Sequence, residues 1–428
     1  MNEPTTFPRL LAGSALNGAV VRTFVTCLLI VSLSSADQSL FGYAIPSITR
    51  EFGVGLPVIG NILSLAFLVA CPTVVVAGLL SDRWGRRPVM LGLLTLSATC
   101  VGLQAFAHSI AILTLLRVVG FASGGCMYAL TGAAMIEQSP DRFRGLLVGA
   151  LQIGYPLGFA LGSVAVTTLL QPYGWRALFL PALAIPFLVP VLYFQLGPGA
   201  VRVTSADLAP PVPWHQRLAA LVSARHLRTS LAGFAGSFFS NFAIGSLSYF
   251  LPTYLVQSRG LSAAAAGAIV GSSYALGAAG YLVAATTGEF LTTRRNTLVL
   301  WITLGTALFG VALALPDGTR LLIPAFSVVI FFLFGSEGVR VPLLGELYPT
   351  YIRATAMAAV GSLSVAAALL IAPIMVTHGV GYLGWTKALY AFGGFPLVLA
   401  AISYAFLPNP RSGRALDTIA DNVGERLV

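Results

Sequence analysis

The chain has 428 residues, 57% of them hydrophobic and only 9% charged, with a formal net charge of +10. Soluble domains carry roughly 25% charged residues, so a water-soluble globule is excluded. Apolar runs of about 20 residues recur along the whole length, and each must satisfy its own backbone inside a bilayer, so the expected fold class is an all-α membrane protein.

Twelve transmembrane helices are predicted, at 22–46, 57–80, 88–106, 110–136, 145–170, 177–197, 229–256, 263–287, 296–315, 321–345, 355–376 and 387–407. Residues 10–21 are moderately apolar, but Arg22 interrupts them just before the first span, so no cleaved leader is expected. The spans divide into two six-helix bundles, residues 1–197 and 229–428. Between them, residues 198–228 are rich in Pro, Ser, Arg and His and read as a linker. Its stretch from Trp214 to His226 has the basic, amphipathic character of an interfacial helix. Counting loops alternately puts seventeen of the 24 basic residues on the side of both termini. Positive charge stays inside, so both termini are expected in the cytoplasm, with the chain in a bacterial inner membrane. The basic excess is then topology, and no nucleic-acid partner is expected. Cys27, Cys71, Cys100 and Cys126 fall in different spans with no metal or disulfide spacing. No cofactor, metal or enzyme activity is expected: the chain lacks a nucleophile–base pairing, a phosphate-cradling loop and an ATPase motif. The expected partners are the lipid bilayer, a small-molecule substrate and protons, with the chain acting as a monomer.

In chain order, the first charged feature is Asp37 in the first span. A charge near mid-membrane costs about 2.5–3.5 kcal/mol even on lenient scales, which makes it a functional candidate. Gln38 and Phe41 beside it are candidate substrate-binding residues. Arg117 in the fourth span falls at a similar depth, and two opposite charges at one depth are cheaper paired than alone. Two readings of that pair stand: a structural bridge, or a proton-coupling switch. Tyr128 lies three helical turns beyond Arg117 on the same face. In the fifth span Gln152 and Tyr155 share a face suited to line a cavity, as Phe238 and Asn241 do in the seventh. Glu337 and Arg340, three residues apart in the tenth span, share a face too. They read either as a neutralised pair or as an anchor for a substrate carboxylate.

A repeat joins the halves. Glu137, Pro140 and Arg144 recur as Glu346, Pro349 and Arg353, 209 positions later, which indicates a duplicated unit. The run Gly78-Leu-Leu-Ser-Asp82-Arg83-Trp84-Gly85-Arg86-Arg87 resembles the loop signature of the major facilitator superfamily. The implied fold is two pseudo-symmetric six-helix bundles around a central cavity, opened alternately to each side. The resemblance also implies that Gly78, Asp82, Gly85, Arg86 and Arg87 gate the cytoplasmic side, with Glu137, Arg144, Glu346 and Arg353. The equivalent second-half loop, 292–296, keeps only the basic pair Arg294–Arg295, so a degenerate latch is expected there.

Within that superfamily, Arg117, Glu137, Pro140, Arg144-Gly145 and Gln152 resemble the proton-coupled sugar porters, although Phe239-Ser240 replace their seventh-span Gln pair. Gly145, Gly154, Gly158 and Gly162 resemble the fifth-span motif of the antiporters, with Phe159 in place of its Pro. The spacing Asp37-x4-Gly42-x3-Pro46, Gly174-Trp175-Arg176 and the run from Glu346 to Thr355 resemble the aromatic-acid:proton symporters and allied organic-anion carriers. The resemblance implies a secondary transporter taking up a small organic acid, plausibly aromatic, with Asp37 and Arg117 coupling protons. A proton-driven exporter of drugs or metabolites is the alternative.

Overall fold

A computed structural model of the chain describes residues 18–139, 144–196, 214–316 and 320–409. Among them, eleven helices are long and apolar enough to cross a membrane. We label them with the seventh-position helix in chain order: α1 Gly18–Phe52, α2 Leu56–Ser81, α3 Arg86–Phe106, α4 Ile110–Gln138, α5 Leu147–Tyr173, α6 Trp175–Gln195, α7 Leu227–Gln257, α8 Ala263–Leu291, α9 Arg294–Ala314, α10 Leu322–Glu346, α11 Met357–Leu383 and α12 Trp385–Ala405. The helix that falls short is α7. At 31 residues it is long enough to span, yet Thr229, Ser230, Ser237, Ser240, Asn241, Ser246, Ser248 and Thr253 dilute its apolar character. All eight are buried. A helix surrounded by other helices needs no greasy surface for lipid, so the expected twelfth span is present as the most protein-enclosed one. In the linker, a short helix forms over Trp214–Leu221.

Close approach of helices depends on small residues. Along α5, Gly154 faces Val31, Gly158 faces Ser32 and Ser35, and Gly162 faces Ser39, so α5 lies against α1 over two turns. A Cβ at Gly158 would meet the backbone of α1, which cannot yield as a side chain can. Gly277 and Gly280 play the same part in bringing α8 onto α10 at Ile330 and Phe331.

The two halves meet through α1 with α7, α2 with α11, and α5 with α8. Proline shapes the first of these contacts. Pro46 has no N–H, so the carbonyl of Gly42, four residues earlier, loses its helical donor. Thr253 of α7 supplies one, its hydroxyl donating to Gly42 O at 3.2 Å. Gly42 lets the chains approach there, since its missing Cβ would sit 3.0 Å from Tyr249 O. At α2–α11, Gly60 faces Thr377 and the carbonyl of Pro373. At α5–α8, the rings of Phe159 and Tyr274 stack 4.4 Å apart. These contacts lie from mid-depth toward the end of the bundle opposite the termini.

The expected continuity of the fifth span is interrupted. Gln152 and Ile153 form a turn between the helices Arg144–Leu151 and Gly154–Ala165. Pro156 is the reason: it cannot donate to Gln152 O, and the Tyr155 N–H takes that carbonyl instead, at 3.1 Å.

Gly158→Ala should destabilise the protein by about 1–3 kcal/mol through overpacking against α1. Gly149→Ala, where nothing lies within 4 Å of the added methyl, should cost nothing. Thermal unfolding followed by size-exclusion chromatography separates the two; equal behaviour would contradict the packing argument.

Candidate functional site

The first half of the site hangs on α1. Ser32 and Ser35 return their hydroxyls to the carbonyls of Leu28 and Val31, at 2.8 and 2.9 Å, so the helix tolerates a polar stretch. Asp37 follows and meets Arg117 of α4. One guanidinium nitrogen, Nη1, donates to both carboxylate oxygens, at 2.8 Å to Oδ1 and 2.7 Å to Oδ2. The Arg117 side chain is 0% exposed and the Asp37 side chain 9%. Phe41 lies 4.2 Å from the guanidinium and Phe121 5.4 Å, a cation–π sandwich in a dry site. Among the described residues, Arg117 Nε and Nη2 find no hydrogen-bond partner. The two expected coupling residues are therefore in contact, and the cation holds two donors in reserve.

The residues of the first half expected to bind substrate make the following contacts. Gln38 accepts a 2.8 Å hydrogen bond from the Tyr249 hydroxyl of α7. Tyr128 shares one with Ser35 at 2.8 Å. Tyr155 lies 6.4 Å from Tyr128, 4.8 Å from Phe159, and stacks on Phe334 of α10 at 5.6 Å. Phe334 also meets Tyr274 at 5.2 Å and Tyr281 at 6.2 Å, both from α8. Tyr128, Tyr155, Phe334, Tyr274 and Tyr281 thus form an aromatic cluster between the halves. Gln152 sits in the break at the near end of α5.

The second half of the site is a polar cluster. Arg340 directs Nε and Nη2 onto one oxygen of Glu337, Oε2, at 2.8 and 2.6 Å. Asn241 donates to the other oxygen at 3.3 Å and to Ser237 O at 3.1 Å. Arg340 Nη1 reaches Ser237 Oγ only at 3.4 Å. Tyr404 of α12 closes the cluster against Ser240 and Ser237. Phe238 is not part of this cluster. It packs with Phe242, Phe392, Ala368 and Ala372 in an apolar group.

Sequence reasoning left out Phe334, Tyr274, Tyr281 and Tyr249 as site residues. A signal existed for the first three: Tyr274 and Tyr281 are seven apart on one face of α8, and Phe334 is one turn from Glu337. Tyr249 carried none, because only the α1–α7 crossing brings it to Gln38.

At the terminal side of the bundle lie the residues expected to gate, several of them in ion pairs. Gly85 holds φ at 93°, a conformation that favours glycine. It turns the chain so that Arg86 reaches Glu137 of α4 in an ion pair. Arg87 lies 3.6 Å over the Tyr193 ring. Gly78 lies within α2 with open space on its Cβ side. In the second half, where a degenerate latch was expected, the loop arginine has acidic partners. Arg294 pairs with Glu346 and also with Glu289 at 2.5 Å. The acid comes from the end of α10 rather than from the loop, so the loop sequence alone could not reveal it. Arg353 donates to Tyr348 O at 3.2 Å. The side chains of Asp82 and Arg144, and all of Pro140, lie outside the described residues.

Comparison with known proteins agrees with this architecture. The sequence profile described as Major Facilitator Superfamily matches residues 27–340. The gallate transporter of Pseudomonas putida is 27% identical over 418 residues, covering 89% of this chain and 90% of its own. The 3-(3-hydroxy-phenyl)propionate transporter of Escherichia coli is 27% identical over 379 residues, covering 87% and 91%. Among solved structures, a bacterial homolog of the human lysosomal transporter Spinster aligns with a TM-score of 0.71 at 13% identity, over 96% of this chain and 99% of that one. A D-xylose–proton symporter aligns with a TM-score of 0.69 at 17% identity, over 91% and 98%. At those identities the likeness is one of fold.

Arg117→Ala leaves Asp37 as an uncompensated buried charge and should cost about 3–5 kcal/mol of stability. The double variant Asp37→Ala/Arg117→Ala removes both charges and should recover most of that loss. Thermal unfolding in detergent measures both; a double variant no better than the single would show that the charges do not depend on each other.

Proposed function

The chain belongs to the Major Facilitator Superfamily, and on that premise we propose that it is a proton-coupled symporter for a small aromatic acid. That it is an integral membrane transporter rather than an enzyme follows from the family and its relatives. The observation that carries the coupling is the Asp37–Arg117 pair, enclosed between Phe41 and Phe121 inside the bundle. The chemistry is a switch between two states. With Asp37 ionised, the two charges cancel and the contact between α1 and α4 is held. With Asp37 protonated, the acid is neutral and the Arg117 cation loses its counter-charge in a medium where that loss is costly. A bound anion elsewhere in the cavity, or a movement of the halves, then becomes favourable. Proton and anion thereby travel together.

The aromatic cluster suits the ring of the substrate. Phe334 stacks on Tyr155 and lies tilted, 6.2 Å from Tyr281, and a substrate ring that parted them would gain offset-stacked contacts in their place. The Arg340 cation, with a donor held only by a long bond to Ser237, suits the carboxylate. The names of relatives that move gallate and 3-(3-hydroxy-phenyl)propionate support the same chemical class. In this reading the six-helix units 1–197 and 229–428 rock about the contacts at Gly42 and Gly60. The Arg86–Glu137 and Arg294–Glu346 latches keep each unit rigid as it moves. Both termini face the cytoplasm in this reading; the basic loops of that side support it. The membrane is the bacterial inner membrane, and a monomer suffices for transport.

The test uses proteoliposomes with a pH-sensitive dye inside and no imposed gradient. Benzoates, aliphatic carboxylates, sugars and cationic drugs are added in turn, with empty liposomes as controls for weak acids. The benzoates should acidify the lumen in the wild type. Asp37→Asn should abolish that signal and accumulation against a gradient, while sparing exchange of substrate across the membrane. Active accumulation by Asp37→Asn at the wild-type level would sink the coupling role. Export driven by an inward proton gradient would reverse the direction.

A further inference from the structure

The two buried ion pairs of the cavity are built differently, and the difference is informative. In the first, both oxygens of Asp37 are held by one nitrogen of Arg117 at hydrogen-bond distance, and the cation is fully enclosed. In the second, Arg340 spends two nitrogens on one oxygen of Glu337. Among the described residues, the remaining Glu337 oxygen has only the 3.3 Å contact from Asn241. The Glu337 side chain is 13% exposed, more than Asp37 at 9%. A carboxylate buried for stability alone would be expected to have both oxygens well bonded.

The position of Glu337 adds to this. It lies one helical turn beyond Phe334, so the carboxylate is displaced by about 4.5 Å of helix rise from that ring of the aromatic cluster. Helical side chains lean toward the N-terminus of their helix, so Arg340 reaches back onto Glu337 and toward Phe334. A benzoate that took the place of Tyr155 on the Phe334 face, with its carboxylate toward Arg340, would compete for the guanidinium nitrogens that Glu337 now holds.

We infer that Glu337 is an internal stand-in for the substrate: its carboxylate occupies Arg340 in the empty transporter, and a proton on Glu337 vacates that place for the substrate carboxylate. The inference rests on the reading of Arg340 as the carboxylate anchor. Its physical basis is direct competition between two anions for one guanidinium fork. Among the described residues, the groups around Glu337 do not offer it a second cation. Arg340 faces it from its own helix, Asn241 and Ser237 from α7, and the phenols of Tyr281 on α8 and Tyr404 on α12 stand nearby. When substrate takes Arg340, an ionised Glu337 is left as a buried anion beside a second anion, so binding favours its protonated form. The proton comes from the water on the side to which the cavity is open. Glu337 thus links substrate affinity to pH at the binding step, separately from Asp37.

The sign follows from linkage. A proton taken up on binding makes affinity fall as pH rises, by up to about tenfold per pH unit. Benzoate itself stays ionised between about pH 6 and about pH 8.5, so its own titration does not enter. The measurement is equilibrium binding of benzoate and 4-hydroxybenzoate to the purified full-length protein across that range. Wild type and Asp37→Asn should both lose affinity as pH rises. Glu337→Gln, which resembles the protonated acid in shape and charge, should bind at every pH with the affinity wild type shows at the acidic end. Retention of the wild-type slope in folded Glu337→Gln, or loss of binding there, overturns the inference while leaving the transport reading intact. Should Glu337→Gln fail to fold, Glu337→Asp is decisive: its shorter side chain grips Arg340 less well and should bind tighter than wild type at alkaline pH, and unchanged or weaker binding overturns the inference. A wild type that binds neither acid overturns the aromatic-acid reading and this inference with it.

Discussion

A charge inside a membrane-spanning bundle must have its counter-charge within reach, and this constraint organises the centre of the molecule. Asp37 and Arg117 come from helices whose residues are 80 positions apart in sequence. Their contact holds α1 to α4, sets the faces those helices turn inward, and carries Phe41, Phe121, Gln38 and Tyr128 to the cavity. Breaking one partner leaves a charge that the low-dielectric surroundings cannot screen. In the proposed symport, the interaction that holds the two helices together is also the one that a proton would release.

The backbone obeys a parallel constraint. Peptide groups within the bilayer find no water, so a missing helical hydrogen bond has to be replaced by protein. At Pro46 the replacement comes from the other half of the molecule, through Thr253. At Pro156 it comes from a tightened local turn that leaves Gln152 outside regular helix. One proline therefore helps join the halves, and another opens the helix wall beside the aromatic cluster. Glycine does the complementary work: Gly42, Gly158 and Gly162 remove the side chains that would keep α1 from its neighbours.

Duplication gives the halves related frames and different interiors. Arg86–Glu137 and Arg294–Glu346 tie corresponding helices on the terminal side. On the opposite side, Gly174-Trp175 and Gly384-Trp385 start α6 and α12 from glycines with φ of 78° and 74°. Arg176 there bonds Glu51 and the carbonyl of Ala107, and Arg259 bonds the carbonyls of Leu313 and Leu315. The interiors diverge. The first half holds a closed pair against aromatic rings, and the second an open pair amid hydroxyls and an amide. In the proposed reading the first pair couples and the second anchors.

The sequence by itself determined the solvent, the number and order of the helices, the duplicated frame and the identity of the charged residues. Those properties are local: a span is read from twenty consecutive side chains, a turn from Gly85 and its flanking arginines, and a buried charge from its rarity. The pairing of Asp37 with Arg117 was also legible, because depth along a helix is countable and opposite charges at one depth attract. Tertiary structure alone decided which faces meet across the halves. It brought Tyr249 to Gln38, Phe334 to Tyr155, and Glu346 to Arg294, and it sent Phe238 to an apolar cluster instead of the polar one. Those outcomes depend on helix crossing and rotation, which small steric differences at glycines and prolines settle. No periodicity in one helix records where its neighbour will lie.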